Sequence, residues 1–433
     1  MSAAPIRTVS SGGHRATAAV VGGGVAGLTA AYVLAPMYDV TLYESDDRLG
    51  GHAHTHDVAD PSGSMLAVDT GFIVHNDRTY PQLRRLFGEL GVQTRPTEMS
   101  MSITDEATGL EFAGGRGARG VFAQHRRALD PRFLSVLAQV KRFQTRATAF
   151  LSDTDDSDQT TYGEFLAEHR FSDSFLRLYA VPVVSCVWSM GPAAALDYPA
   201  RYLFRFLAHH GMLTLTDSPQ WYTVVGGSRT YVEAIADRVS QVRIGRAVAN
   251  VLRDDNGVAV QDSSRAWQRY DAIVIATHAD RALELLADAS PREKEILGAF
   301  RYSQSEAILH TDSRLLPTAP QARASWNYLT PSRADADHAP VVTYWLNRLQ
   351  GLDSAVQYLV TLNARQRIAP ARVIATMNYE HPIYDLATLQ AQARLASIST
   401  PRTAFAGAYH GWGFHEDGCR SGVEAARALG ASW

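Results

Sequence analysis

Near the start of the chain an uncharged run, Ala18-Ala19-Val20-Val21, breaks into Gly22-Gly23-Gly24 and resumes as Val25-Ala26-Gly27-Leu28. Gly22, Gly24 and Gly27 stand in G-x-G-x-x-G spacing between an apolar strand pattern and a helix-like run, Leu28 to Ala35. Each glycine has its own reason: a tight turn, close approach of backbone to a pyrophosphate, and close packing of helix on strand. The phosphates would then meet unpaired N–H groups at the helix N-terminus. A second strand pattern, Asp39-Val40-Thr41-Leu42-Tyr43, ends at Glu44, 22 residues after Gly22. A carboxylate about 20 residues on grips ribose hydroxyls. Strand, helix and distal acid in register predict a dinucleotide-binding β–α–β unit.

Gly115-Arg116-Gly117-Ala118-Arg119-Gly120 repeats the same spelling without that setting. No apolar crossover helix follows, and Leu137 falls where the ribose acid should be. A flexible basic loop is the expectation there. No second dinucleotide site for a nicotinamide emerges.

At 433 residues and 46% hydrophobic, the chain can bury a large core and divide into two domains. A formal net charge of −3 gives no overall attraction to nucleic acid. Cys186 and Cys419 make neither a disulfide framework nor a metal-ligand spacing, which fits a reduced, cytoplasmic setting. The first fifteen residues read as a flexible Ser/Gly/Ala tail without the apolar core of a signal peptide. Ala16 to Tyr38 is uncharged, but its glycine triplet and Pro36 argue for a buried strand–turn–helix unit, so no transmembrane helix is expected.

Pro81 to Leu90 reads as a short amphipathic helix, and Met99–Ile103 with Leu110–Phe112 as a hairpin across Thr108-Gly109. Phe133, Val136, Leu137, Val140, Phe143 and Ala147 follow helical spacing over Pro131 to Leu151. Short strands around 242–244, 248–253 and 258–261 precede the buried-strand run Asp271-Ala272-Ile273-Val274-Ile275. Strands at 307–311, 341–347, 358–362 and 372–377 follow, then Thr403–Ala406 and a terminal helix from about Asp417. The expected architecture is α/β: a discontinuous Rossmann-like domain (16–78, 222–282 and 396–430) and a mixed-sheet plus helical substrate domain (79–221 and 283–395).

Four further runs carry a resemblance: Val68-Asp69-Thr70-Gly71-Phe72-Ile73-Val74, Arg78-Thr79-Tyr80-Pro81, the segment Val342 to Gln350, and Phe405 to Gly418. With the glycine motif they make the chain similar, from Ala16 onward, to the flavin-containing amine oxidase superfamily of monoamine oxidases and phytoene desaturases. Within it, the chain resembles a bacterial NAD/FAD-binding branch often found beside cyclopropane-fatty-acid synthases. The resemblance implies FAD. It assigns Gly22, Gly24, Val25, Ala26 and Gly27 to the phosphate loop and Glu44 to the ribose. Gly50 and Gly51 match a second glycine doublet, followed by His52. Phe72 and Ile73 match backbone positions beside the isoalloxazine, Val248 the residue whose backbone meets adenine, and Gly407, Phe414 and His415 the closing motif near the flavin O2 edge.

The departures are informative. His52 stands where the family often has arginine, and Ala408 and Tyr409 where it often has an acid. No cysteine matches the residue that tethers flavin in monoamine oxidases, which implies non-covalent FAD. Many amine oxidases also hold a water to flavin N5 with a lysine. The only lysines here are Lys141 and Lys294, the rest of the 41 basic residues being arginine. Phe414 replaces a flavin-flanking tyrosine, diminishing an aromatic cage for a cation.

Between Gly114 and Arg146 lie Arg116, Arg119, Arg126, Arg127, Arg132, Lys141, Arg142 and Arg146, with Asp130 the sole acid and phenylalanines interleaved. Either this is a solvated face over a packed stripe, or a dock for anionic lipid at the inner membrane face. His52, His54 and His56 alternate, which sets them on one face of an extended chain; no metal is assigned to them. His209-His210, Trp188, Trp326, Tyr344 and Trp345 are ordinary core or surface, or the lining of a substrate tunnel.

The reading is an FAD-dependent oxidoreductase that takes hydride from a fatty acyl chain, desaturating it or shifting a double bond. No catalytic residue is named, since hydride transfer needs no general base. An amine oxidase, and a non-catalytic FAD-binding partner of a lipid methyltransferase, stay open as alternatives.

Overall fold

The computed structural model describes residues 15–214, 218–332 and 340–433. Of the expected tail 1–15, all but Arg15 lies outside the described residues. The chain divides into two units: Met1–Gly51 with Tyr231–Phe300 and Ala391–Trp433, and His52–Thr230 with Arg301–Gln390.

The first unit is built on five parallel strands in the order Gln241–Arg243, Tyr38–Tyr43, Ala16–Val21, Ala272–Ile275 and Thr403–Phe405. Ala18, Ala19, Val20 and Val21 are buried, the continuous apolar run that a central strand covered on both faces requires. The helix Val25–Leu34 is buried along nearly its whole length. The closing helix His415–Ala428 packs against it: a Cβ built on Gly422 would lie 2.3 Å from the Ala26 carbonyl oxygen, and one on Gly418 2.6 Å from Val25 Cγ1. An antiparallel meander, Val248–Asp254, Gly257–Asp262 and Trp267–Tyr270, leads into the strand Ala272–Ile275. The half-buried Arg253 forks onto Glu293 and ties the meander to the helix Pro291–Leu297.

The second unit holds a seven-stranded mixed sheet in the order Val373–Ile383, Arg301–His310, Leu359–Leu362, Val341–Trp345, Trp326–Thr330, Met101–Asp105 and Leu110–Gly114. Its one parallel pairing joins Trp326–Thr330 to Met101–Asp105. The strand expected at 372–377 runs on through Pro382, which an edge strand tolerates because its outward N–H needs no partner. The helix Pro131–Asp153 starts where Asp130 accepts the backbone N–H groups of Arg132 at 3.0 Å and Phe133 at 3.4 Å. Its stripe is core: the Phe143 ring contacts those of Tyr162, Phe165, Phe171, Phe175, Tyr179 and Phe204.

The loop expected at Gly115–Gly120 is instead a fixed turn into a short helix, Gly117–Val121. Gly115 and Gly117 take φ of +78° and +62°, and a Cβ on buried Gly120 would lie 2.8 Å from Ala113 O. The glycines of this second G-x-G-x-x-G therefore shape a turn. The sequence division grouped 52–78 and 222–230 with the nucleotide strands. In the structure they go with the sheet unit, because Val74–Asn76 pairs with Trp221–Val224, which pairs in turn with Thr94–Thr97. No helix among the described residues is long and apolar enough to cross a membrane.

Candidate cofactor site

The residues assigned to the nucleotide converge at the carboxyl ends of the parallel strands, where open α/β sheets bind ligands. Gly22 follows Val21 with φ of +106°, and a Cβ there would strike Ala276 O at 2.6 Å. Gly27 sits so close beneath the loop that a Cβ would fall 1.8 Å from Gly22 O. Gly24, by contrast, has nothing within 4 Å of where a Cβ would stand, so its backbone is open to a ligand. It caps the helix Val25–Leu34, and the N–H groups of Val25, Ala26 and Gly27 follow it in the first turn. The site thus offers open backbone at Gly24, donors and a positive helix end, which is what a dinucleotide pyrophosphate needs.

Glu44 closes the strand Tyr38–Tyr43 and is nearly buried. Its Oε2 accepts the Gly23 N–H at 2.7 Å, while Oε1 accepts the Asp46 N–H at 2.9 Å and the Ser45 hydroxyl at 3.1 Å. The second doublet abuts the first loop: Gly50 N–H donates to Gly23 O at 2.8 Å, and Gly24 and Gly50 form an isolated parallel bridge. Gly51, with φ of +56°, would place a Cβ 3.3 Å from Gly24 Cα. Arg48, which sequence reasoning passed over, donates to Gly51 O at 2.8 Å and holds this turn. Val248 begins the meander just beyond Arg246, whose N–H donates to Glu44 O at 2.7 Å. Its backbone therefore lies two residues beyond one that bonds the Glu44 carbonyl.

Gly407 follows the strand Thr403–Phe405, and its N–H donates to Ser421 Oγ at 2.9 Å. A Cβ there would lie 2.3 Å from the Tyr409 ring. Phe414 caps the closing helix, and its N–H donates to Asp417 Oδ2 at 3.1 Å. Burial raises the Asp417 carboxyl pKa, against bonds from backbone N–H groups and the Arg420 charge. His415 opens the same helix, with Nε2 3.1 Å from the Tyr231 hydroxyl. Where the family often has an acid after Gly407, this chain buries one ten residues on, at the helix start.

His52, Phe72 and Ile73 belong to the second unit. Phe72 N–H donates to His52 O at 2.7 Å, and Gly71 approaches the same carbonyl too closely to carry a Cβ. The His52 ring centroid lies 4.8 Å from that of Tyr379 and 5.4 Å from that of His381. The Tyr379 hydroxyl is 2.8 Å from Thr70 Oγ1 and 3.2 Å from His54 Nδ1. His54 and His56 do share a face, their rings 4.1 Å apart. No group of three or more His, Cys, Asp or Glu among the described residues is placed to hold a metal ion.

Asp69 anchors the run that carries Phe72 and Ile73. Its carboxylate accepts from Thr55 Oγ1 at 2.6 Å, Ser228 Oγ at 2.7 Å, Ser228 N–H at 3.0 Å and Gln350 Nε2 at 3.0 Å. Burial pushes this carboxyl up to about 6, opposed by those hydrogen bonds and the Arg229 charge. The other aromatic candidates are packed in the second unit. Trp188 is buried against Tyr198 and Phe206, and Trp326 meets Tyr344 edge-on. Trp345 lies under Arg348. His210 stacks on Phe206, its Nδ1–H donating to Phe206 O at 2.9 Å, and burial lowers its pKa to about 4.

A family model for flavin containing amine oxidoreductases matches residues 25–430, spanning both units. The chain belongs to the flavin-containing amine oxidoreductase family. Coproporphyrinogen III oxidase of Mycobacterium leprae (strain TN) is 26% identical over 303 residues, 63% of this chain. The chain spans 62% of the length of that curated relative. The family fold recurs in cyclohexylamine oxidase from Brevibacterium oxydans IH-35A, with a TM-score of 0.69 at 18% identity over 96% of this chain and 99% of that one. A CLA-producing fatty acid isomerase from P. acnes matches with a TM-score of 0.65 at 16% identity over 95% and 98%. The putative protoporphyrinogen oxidase from Exiguobacterium sp. 255-15 gives 0.65 at 15% over 96% and 99%. The chain has a mixed α/β fold shared with those structures.

Proposed function

We propose that the protein binds FAD without a covalent link and oxidises or isomerises fatty acyl chains. The observation that carries the substrate class is the placement of its two lysines. Lys141 is exposed on the helix Pro131–Asp153 and Lys294 on the helix Pro291–Leu297, neither of which carries a candidate cofactor residue. The side chain assigned beside the flavin doublet, His52, is instead packed by Tyr379 and His381. The distance of both lysines in sequence from the candidate cofactor residues, in a family where many amine oxidases hold a water to flavin N5 with a lysine, suits a reacting carbon without a neighbouring ammonium group.

Bound FAD supplies the hydride acceptor. The protein's part is to hold and orient. The amides after Gly24 would hold the pyrophosphate, Glu44 the ribose and the Val248 backbone the adenine. By the family resemblance, the start of the closing helix would serve the flavin O2 edge, and the Phe72 and Ile73 backbone would serve the ring. Desaturation would send a hydride to the flavin and the proton of the adjacent carbon to water, whereas isomerisation would return the hydride to the far carbon of the allylic system.

The test is anaerobic flavin absorbance of the purified protein, titrated separately with phospholipid acyl substrates, amines and a porphyrinogen. Acid release of FAD into the supernatant checks the non-covalent link. Bleaching of the flavin band by lipid alone, or a shifted double bond without net bleaching, supports the proposal. Bleaching by amines overturns it in favour of an amine oxidase, and bleaching by porphyrinogen in favour of the activity named for the Mycobacterium leprae relative. Flavin that no lipid reduces or turns over points instead to an accessory partner of a lipid methyltransferase.

A further inference from the structure

We infer that the turn His125–Leu129, with the helix starts on either side of it, docks on an anionic lipid bilayer. The basic segment divides into engaged and free charges. Arg127 pairs with Asp130 at 3.0 Å, and Arg116 with Glu98 at 3.5 Å. Arg142 donates to the carbonyls of His169 and Arg170 and covers the Phe171 ring. Arg119, Arg126 and Arg132 are exposed and make no ion pair or side-chain hydrogen bond with any described residue.

The apolar component is not the stripe of the long helix, since Phe133, Val136, Phe143 and Ala147 are buried in the unit's own core. It is Leu129, 86% exposed, with Leu134 42% exposed on the first turns of the helix that follows. Arg126 and Leu129 are three residues apart in a 3₁₀ turn, where such side chains eclipse, so a cation and an apolar group project together. A cleft of about 270 Å³ lined by Arg116, Arg119, Gly120, Pro320 and Gln321 opens on the same basic segment, with Arg119 available to a lipid phosphate.

Charge complementarity selects the occupant. A nucleic-acid backbone would use the arginines but gain nothing from an exposed leucine. An anionic bilayer uses both, with the phosphates meeting Arg119, Arg126 and Arg132 while Leu129 enters the acyl boundary. Docking is independent of the reaction, because its readout is binding.

The experiment is co-sedimentation of the full-length, flavin-loaded protein with phosphatidylcholine vesicles, with and without 30% phosphatidylglycerol. Binding is expected only to the anionic vesicles, and it should weaken in high salt. At about a fivefold gain per basic residue near the surface, Arg126→Glu with Arg132→Glu should lower the partition coefficient by at least ~25-fold. Leu129→Ser should lower it several-fold with flavin content and circular dichroism unchanged. Equal partitioning to neutral and anionic vesicles, or unchanged binding of both variants, would overturn the inference. So would tight binding to a single-stranded oligonucleotide that Leu129→Ser leaves intact. If the acyl reaction fails while vesicle binding responds as described, the dock stands and only the proposed substrate is lost.

Discussion

Gly422→Ala tests how tightly the closing helix is pressed onto the helix that follows the nucleotide loop. Two opposed effects decide the outcome. Within a helix, glycine to alanine gains about 1 kcal/mol from propensity alone. At Gly422 the new Cβ would stand 2.3 Å from Ala26 O, 3.0 Å from Thr29 Cβ and 3.1 Å from Ala30 N. All three belong to a buried helix, so the two helices must part by about 1 Å, and overpacking of this kind costs roughly 1–3 kcal/mol. The net expectation is a loss of ~0–2 kcal/mol. Gly88→Ala supplies the reference: it lies in the helix Pro81–Leu90, exposed, with nothing within 4 Å of the added carbon. It should gain up to about 1 kcal/mol. Urea unfolding of the two apo variants, followed by circular dichroism, cancels the propensity common to both and leaves a difference of about 1–3 kcal/mol. Flavin retention should fall only in Gly422→Ala, because parting the helices shifts the N-terminus of Val25–Leu34, the one assigned to the phosphates. If both variants gain alike, the close-packing argument is wrong.

The remaining expectations are more compact. Asp69 has a folded-state pKa of about 6 against an ordinary value of 3.8. The native state therefore binds more protons between those pH values, and stability should fall as pH rises from about 4 to 6. Asp69→Asn should remove that slope at a cost of roughly 1–3 kcal/mol, because the amide turns a donor toward Gln350 Nε2, whose side chain is fixed by accepting the Asp69 N–H; urea midpoints across pH report both effects. Glu44→Ala should destabilise the apo protein by roughly 1–3 kcal/mol through the orphaned Gly23 N–H. Calorimetric titration with FAD should separately show weakened binding; unchanged affinity would remove Glu44 from the site. Arg253→Met should cost roughly 1–4 kcal/mol in urea unfolding by leaving the buried Glu293 without its guanidinium, and Glu293→Gln added to it should recover part of the loss.

The nucleotide half was legible because backbone sterics dictate its sequence. Gly22 and Gly27 leave no room for a Cβ, and Glu44 at the end of the next strand accepts the Gly23 N–H, so the pattern is spelled in adjacent residues. The sheet of the second unit was less legible. The strand Trp326–Thr330 was not anticipated because Asn327 interrupts its apolar character. In the fold that amide is buried, accepting from Ser102 Oγ and donating to Ala324 O and Thr343 O, contacts that no local pattern reveals. Ser303 to Glu306 likewise hid the start of a ten-residue strand whose partner lies some seventy residues on. Tyr379 and His381 escaped for the same reason: their relation to His52 is made by strand pairing across the chain, and no motif encodes it.

The Tyr38 hydroxyl donates to Leu429 O across 391 residues of sequence. A ribosome adding about 5–20 residues per second would leave the glycine loop waiting ~20–80 s for the helix that covers it. During that interval the apolar face of Val25–Leu34 has no closing partner. Cofactor capture is thus expected only after synthesis has passed Ala428. A premature stop within the codons for His415–Ala428 should release a chain that chaperones and proteases recognise as unfinished, even though its glycine motif and the whole of its second unit are present.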